Sequence, residues 1–124
     1  MTASPVTLDY PVATLNLHLV QGETFHLEMI WKDSTNTPVN LTGYTGRMQI
    51  RKKASSDDVL KSLTSGSGIT LGTTDGKIQV DMTASETSAV SWKDDAVYDF
   101  EIVTGSTVKR LFEGTITMHP EVTR

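Results

Sequence analysis

The sequence predicts an all-β domain: an Ig-like or jelly-roll-like β-sandwich of about seven or eight short antiparallel strands, with one short helical turn near residues 83–92. Three observations predict it. Apolar and polar residues alternate in four long runs, which is the period of a half-buried strand. Gly, Asp and Ser turn signals separate the runs at short intervals. The chain holds 19 Thr and 11 Ser; β-branched Thr suits a pleated surface and Ser suits turns.

The elements follow in order. Residues 1–13 carry Pro5 and Pro11 with few periodic apolar positions. Pro lacks a ladder donor, so this reads as an extended N-terminal arm or edge segment, mobile by itself. The domain proper is expected over 14–118. Leu15, Leu17 and Leu19 share one parity, and Gln21-Gly22-Glu23 is a turn. Phe25, Leu27, Met29 and Trp31 form the next apolar face, opposite His26 and Glu28. Lys32 to Pro38 is a polar loop. A third strand runs from about Thr45 to Lys52, with Met48 and Ile50 inward.

Val59, Leu60 and Leu63 mark a short strand or bridging segment. Ile69 and Leu71 start another, which turns at Asp75-Gly76, a good hairpin dipeptide because Gly tolerates positive φ. Ile78, Val80 and Met82 return. Thr83-Ala84-Ser85-Glu86 has the form of a capping box, a hydroxyl at the N-cap and a carboxylate three residues on. A helical turn should start there and end before Lys93-Asp94-Asp95. Tyr98, Phe100 and Ile102 resume period two, and Thr107 to Met118 is the last long strand. Phe25, Leu27, Met29, Ile50, Val80, Phe100, Ile102 and Ile116 should be core. The register of the last hairpin stays open: a two-residue turn puts Glu101 opposite Arg110, a three-residue turn puts Phe100 there. Residues 119–124 form a C-terminal tail, His119-Pro120-Glu121-Val122-Thr123-Arg124.

At 124 residues the chain is expected to be one domain with a modest core. Its net charge of −4 argues against a nucleic-acid binder, which needs a positive field. Arg51-Lys52-Lys53 is the one basic run, and Asp57-Asp58 follows it. With no cysteine, disulfides and thiolate metal sites are excluded. No secretory signal and no apolar run of the roughly 20 residues a membrane helix needs is visible. A soluble protein, or a soluble part of an assembly, is expected.

Groups for chemistry are sparse. No two of His18, His26 and His119 have helical metal-ligand spacing. His26 and Glu28 share a strand face, but two ligands are too few for a closed zinc site. Asp57-Asp58 and Asp94-Asp95 are adjacent pairs in loop-like sequence. Asp99 and Glu101 share a face, and Lys109 and Arg110 on the next strand explain them as cross-strand partners. No Gly-x-Ser-x-Gly elbow accompanies the abundant Ser, and no Gly-rich phosphate cradle occurs. We expect no enzyme, no catalytic residue, no cofactor and no metal. Phe25, Phe100 and Phe112 read as core, whereas Tyr10 and Trp92 lie in less regular sequence where an interface role is open.

Two groups of segments carry a resemblance. Leu41-Thr42-Gly43-Tyr44-Thr45-Gly46-Arg47-Met48-Gln49-Ile50-Arg51 resembles a run in small virion proteins of tailed bacteriophages and prophages. So do Tyr98-Asp99-Phe100-Glu101, Arg110-Leu111-Phe112-Glu113-Gly114 and Pro120-Glu121-Val122-Thr123-Arg124. The order of strands, Gly-rich hairpin, Thr/Ser segment and Val-Thr-Arg ending is similar too, over roughly residues 15–124. A more distant similarity is to the β-sandwich modules that begin some phage baseplate and fibre proteins.

The resemblance implies a structural protein of the virion, assembled in the bacterial host cytoplasm. It would be a tail- or neck-associated attachment module, or alternatively a capsid cement or decoration protein. Its partners would be other tail, neck or capsid subunits, in multiple copies of a symmetric assembly, with no membrane and no nucleic acid. Extended ends and exposed strand edges suit such contacts, since a partner strand completes an open ladder. The expected partner-binding residues are Tyr10, Pro11, Trp92, Pro120, Glu121, Val122 and Arg124. A rival of another class is a carbohydrate-binding β-sandwich module, with Trp31, Tyr44 and Trp92 as aromatic platforms.

Overall fold

The computed structural model describes residues 12–123 and, as backbone, the strand 4–7. The chain is all-β. Among the described residues ten strands occur: β1 (Ser4–Thr7), β2 (Ala13–Thr14), β3 (Leu17–Val20), β4 (Phe25–Lys32), β5 (Thr45–Arg51), β6 (Lys61–Ser65), β7 (Gly68–Leu71), β8 (Lys77–Met82), β9 (Asp95–Thr104) and β10 (Thr107–His119). One five-residue helix, α1 (Ala84–Ser88), stands among the described residues.

The pairing departs from the expected two-sheet antiparallel sandwich. Hydrogen bonds run in one continuous path, β1-β4-β8-β7-β6-β5-β9-β10, with β2 and β3 both on the far side of β10. The result is a curled mixed sheet. Four pairings are parallel: β1 with β4, β2 and β3 with β10, and β6 with β7. Three of these four involve the first 20 residues. The segment read as an extended arm or edge segment contributes backbone at Ser4–Thr7 to the edge of β4, and Ala13–Thr14 pairs with β10.

Alternation places the core. β4 buries Phe25, Leu27, Met29 and Trp31; β8 buries Ile78, Val80 and Met82; β9 buries Ala96, Tyr98, Phe100 and Ile102. All eight residues expected in the core are buried. Phe100 and Phe112 stack nearly parallel with centroids 4.8 Å apart, and Tyr98 meets Phe112 edge-on at 6.0 Å. Such pairs add to area burial by about 0.5–1.5 kcal/mol each.

The last hairpin has the two-residue turn. Thr104 pairs Thr107, Gly105 adopts φ +56, and Arg110 lies opposite Glu101. A bulge at Leu111 then shifts the register, so Phe112 faces Phe100. The extra residue inverts the parity of β10. That is why adjacent Leu111 and Phe112 are both buried, and why Ile116 and Met118 follow on the even parity.

The capping box forms. Glu86 N–H donates to Thr83 Oγ1 and Thr83 N–H to Glu86 Oε1, each at 3.1 Å. The helix ends at Ala89, short of the expected limit near 92. Its fully buried Thr87 explains its position: the hydroxyl accepts from Gly22 N–H at 3.0 Å and lies 2.9 Å from the Glu23 carbonyl. Thus α1 clamps the β3–β4 turn.

Candidate functional site

Two surfaces flank β10, and they are built differently. On one side, the outer faces of β5, β9 and β10 form an open groove of about 1030 Å³. Period two puts Arg47, Gln49 and Arg51 of β5 on this face, beside Asp99 and Glu101 of β9. Arg110 and Glu113 of β10 complete it. Arg47 Nε donates to Glu101 at 2.8 Å. Arg110 reaches Glu113 at 3.1 Å, Asp99 at 3.4 Å and Glu101 at 3.7 Å. Arg51 donates to Gln49 and to the carbonyls of Ser56 and Asp57. The cross-strand role expected of Arg110 is therefore seen. Burial pushes the Asp99 carboxyl above its ordinary range, against the opposing pull of Arg110. The groove is an interlocked ion-pair surface whose arginines are already engaged.

On the other side lies the seam of β3 with β10. Short parallel pairing brings Leu17–Val20 against Ile116–His119. At its start, Gly114 lets the backbone of residue 15 approach closely; a Cβ there would sit 2.4 Å from the Leu15 carbonyl. Asn16 Oδ1 accepts from Thr115 N–H at 3.1 Å, taking the place of a ladder partner between β2 and β3. Leu17, Leu19 and Met118 point inward, so His18 and His119 point out. Their ring nitrogens lie 3.0 Å apart. A cleft of about 240 Å³ opens beside them, lined by His18, Val20, Glu23, Thr24, Phe25 and His26. His26 is held by Asp81 and, at 3.4 Å, by Glu28, and the Asp81 contact raises its pKa above the usual imidazole value.

The residues expected to bind partners do not gather at one place. Tyr10, Pro11 and Arg124 lie outside the described residues. Trp92 is only 4% exposed and belongs to the core, so it offers a partner little surface. Its indole N–H has no acceptor among the described residues. The tail does continue from the seam. Pro120 is exposed, and Glu121 N–H donates to Gln21 Oε1 at 2.9 Å. Val122 is then 91% exposed. The tail is pinned at Glu121 and projects beyond it. What sequence reasoning missed is the histidine pair, whose members are 101 residues apart.

Among the described residues no cluster of three or more His, Cys, Asp or Glu side chains is placed to hold a metal. No described helix is long and apolar enough to cross a membrane. A comparison with protein-family models and with curated proteins finds no match.

Proposed function

We propose that the protein is a structural subunit of a tailed-bacteriophage particle, an attachment module of the tail or neck that docks on neighbouring subunits through its C-terminal tail and the adjoining β3 edge. The observation that carries this reading is the tail. It is anchored through Glu121 and then presents an apolar side chain, Val122, to solvent. A pinned root with a projecting apolar end costs less entropy to dock than a free coil. The beside-lying strand β3 pairs only with β10 among the described residues. Its other edge is a ladder that a partner strand would complete.

The runs that resemble phage virion proteins support the same reading. Of these runs, Thr45–Arg51, Tyr98–Glu101 and Arg110–Gly114 fall on the neighbouring strands β5, β9 and β10, and Pro120-Glu121-Val122-Thr123 belongs to the tail itself. The carbohydrate-binding rival has less behind it. Of its three platforms, Trp31 and Trp92 are 8% and 4% exposed and pack in the core, and Tyr44 is half-buried against it.

Particles purified after induction from the bacterium encoding the chain test the proposal. The chain should co-purify in them, on tails once heads and tails are separated. A chain ending at His119 should fold and yet be depleted from particles. Absence from particles overturns the reading, and recovery on heads alone replaces attachment with capsid cement.

A further inference from the structure

The geometry points to a surface site for a divalent first-row transition-metal ion, chelated by His18 and His119 at the β3–β10 seam. His18 Nδ1 and His119 Nε2 are 3.0 Å apart, with ring centroids at 5.2 Å and planes tilted by 32°. Two imidazole nitrogens bound about 2.0–2.1 Å from one Zn²⁺, at angles of roughly 90–110°, lie about 2.9–3.4 Å from each other. The observed separation falls within that bite.

The backbone fixes this spacing. His18 is opposite Thr117 and Val20 is opposite His119, so the two rings stand on one face of paired strands. The neighbours Leu17, Leu19 and Met118 are locked in the core. A ligand pair on packed strands is preorganised. Both rings are exposed, and the second torsion of His is broad. Chelation would use rotation about that torsion to turn both lone pairs to a common point outside the sheet.

The ligand set selects the metal class. Neutral imidazole suits Cu²⁺, Ni²⁺ and Zn²⁺, with Cu²⁺ held most tightly. Mg²⁺ and Ca²⁺ prefer oxygen. His26 borders the adjoining cleft but is tied to Asp81 and Glu28, so it serves as a control and not as a ligand. The remaining coordination positions go to water or to a donor from a neighbouring molecule. The ion would staple β3 to β10 where the tail departs. The inference stands on this geometry alone and does not depend on the virion reading.

The full chain, prepared without a histidine tag, is titrated with CuCl₂ and ZnCl₂ by calorimetry. One ion should bind per chain. His18→Ala and His119→Ala should each weaken binding by about tenfold or more, by analogy with the 10–100-fold losses that even outer-shell changes cause. His26→Ala should leave it unchanged. In the wild-type chain, Zn²⁺ should protect His18 and His119 from acylation by diethyl pyrocarbonate, read by mass spectrometry, while His26 stays as reactive as without metal. No saturable binding, equal binding by His18→Ala and wild type, or no protection of the two rings overturns the site and leaves a simple N–H···N hydrogen bond.

Discussion

The two flanks of β10 solve the same problem in opposite ways. Towards β9, pairing is antiparallel, long and local, because a two-residue turn joins the strands. Charges projecting from that flank cross-pair within the groove. Towards β3, pairing is parallel and four residues long, contributed by chain a hundred residues away. There the outward groups are two histidines, and Val20 and Val122 stand exposed at 42% and 91%. A flank whose polar groups are satisfied internally has little left to offer a ligand. Groups held in place but not consumed by the fold remain available for one. The seam, and not the larger groove, is therefore the functional candidate.

The largest test breaks the groove flank. Phe100 is fully buried under it and stacks on Phe112 at 4.8 Å. Phe100→Ala should cost about 3–5 kcal/mol in chemical denaturation. Removing residues 120–124 should cost less than this, since it takes no side chain out of the core, although the hydrogen bond from Glu121 N–H to Gln21 Oε1 is among the contacts given up. A loss under about 1 kcal/mol for Phe100→Ala would mean the groove flank is not the rigid one.

Tyr98 joins the two flanks. Its buried hydroxyl donates to the carbonyl of Leu15, and burial pushes the phenol pKa up. Tyr98→Phe leaves that carbonyl without its donor and should cost about 1–3 kcal/mol. A neutral result would show that the β2–β3 segment relaxes onto water and that the seam is loose.

Gly22 tests how the tail is held. It adopts φ +85, and a Cβ there would meet the Glu121 carboxylate at 2.3 Å. Gly22→Ala should cost about 1–2 kcal/mol from the left-handed backbone alone. The atoms met are the tip of the Glu121 side chain, so the clash adds only what displacing that carboxylate costs, and only while Glu121 is present. The same substitution in a chain ending at Pro120 should therefore cost less, and the difference in a double-mutant cycle measures the latch. Equal costs in the two backgrounds would detach the tail from the turn.

Legibility divided along the same line. Strand positions, the eight core residues and the Thr83–Glu86 cap were readable because each depends on residues close in sequence. The ion pairs of Arg110 were readable through the hairpin. The seam was not, because the pairing of Leu17–Val20 with Ile116–His119 has no local signature. A sandwich was expected because alternation reports which face is buried and does not report which strands are neighbours. Trp92 was misplaced for a related reason: residues 89–94 have no period, so burial there depends on how the connection crosses the core. The bulge at Leu111 inverts a parity that unbroken alternation would carry through.

The smallest effect is a pH dependence at His26, which borders the seam's cleft yet is held as tightly as the groove's charges. The Asp81 hydrogen bond, followed by a weaker one from Glu28, raises its folded pKa above the unfolded value of about 6.5. A raised folded pKa means that the protonated ring stabilises the fold. That contribution is fully present below about pH 6.5 and is lost as pH rises through the folded pKa. His26 is about a third exposed, so solvent screening should keep the effect below about 1 kcal/mol. The stability gap between wild type and His26→Gln should thus be wider near pH 6 than near pH 9, as measured by urea denaturation at matched ionic strength. In the Asp81→Asn background most of the pH dependence of that gap should vanish, because the largest cause has been removed. A gap that does not change with pH would mean that Asp81 and Glu28 do not tie down the His26 ring. His26 would then cease to be a neutral control for metal binding, since it lines the same cleft as His18.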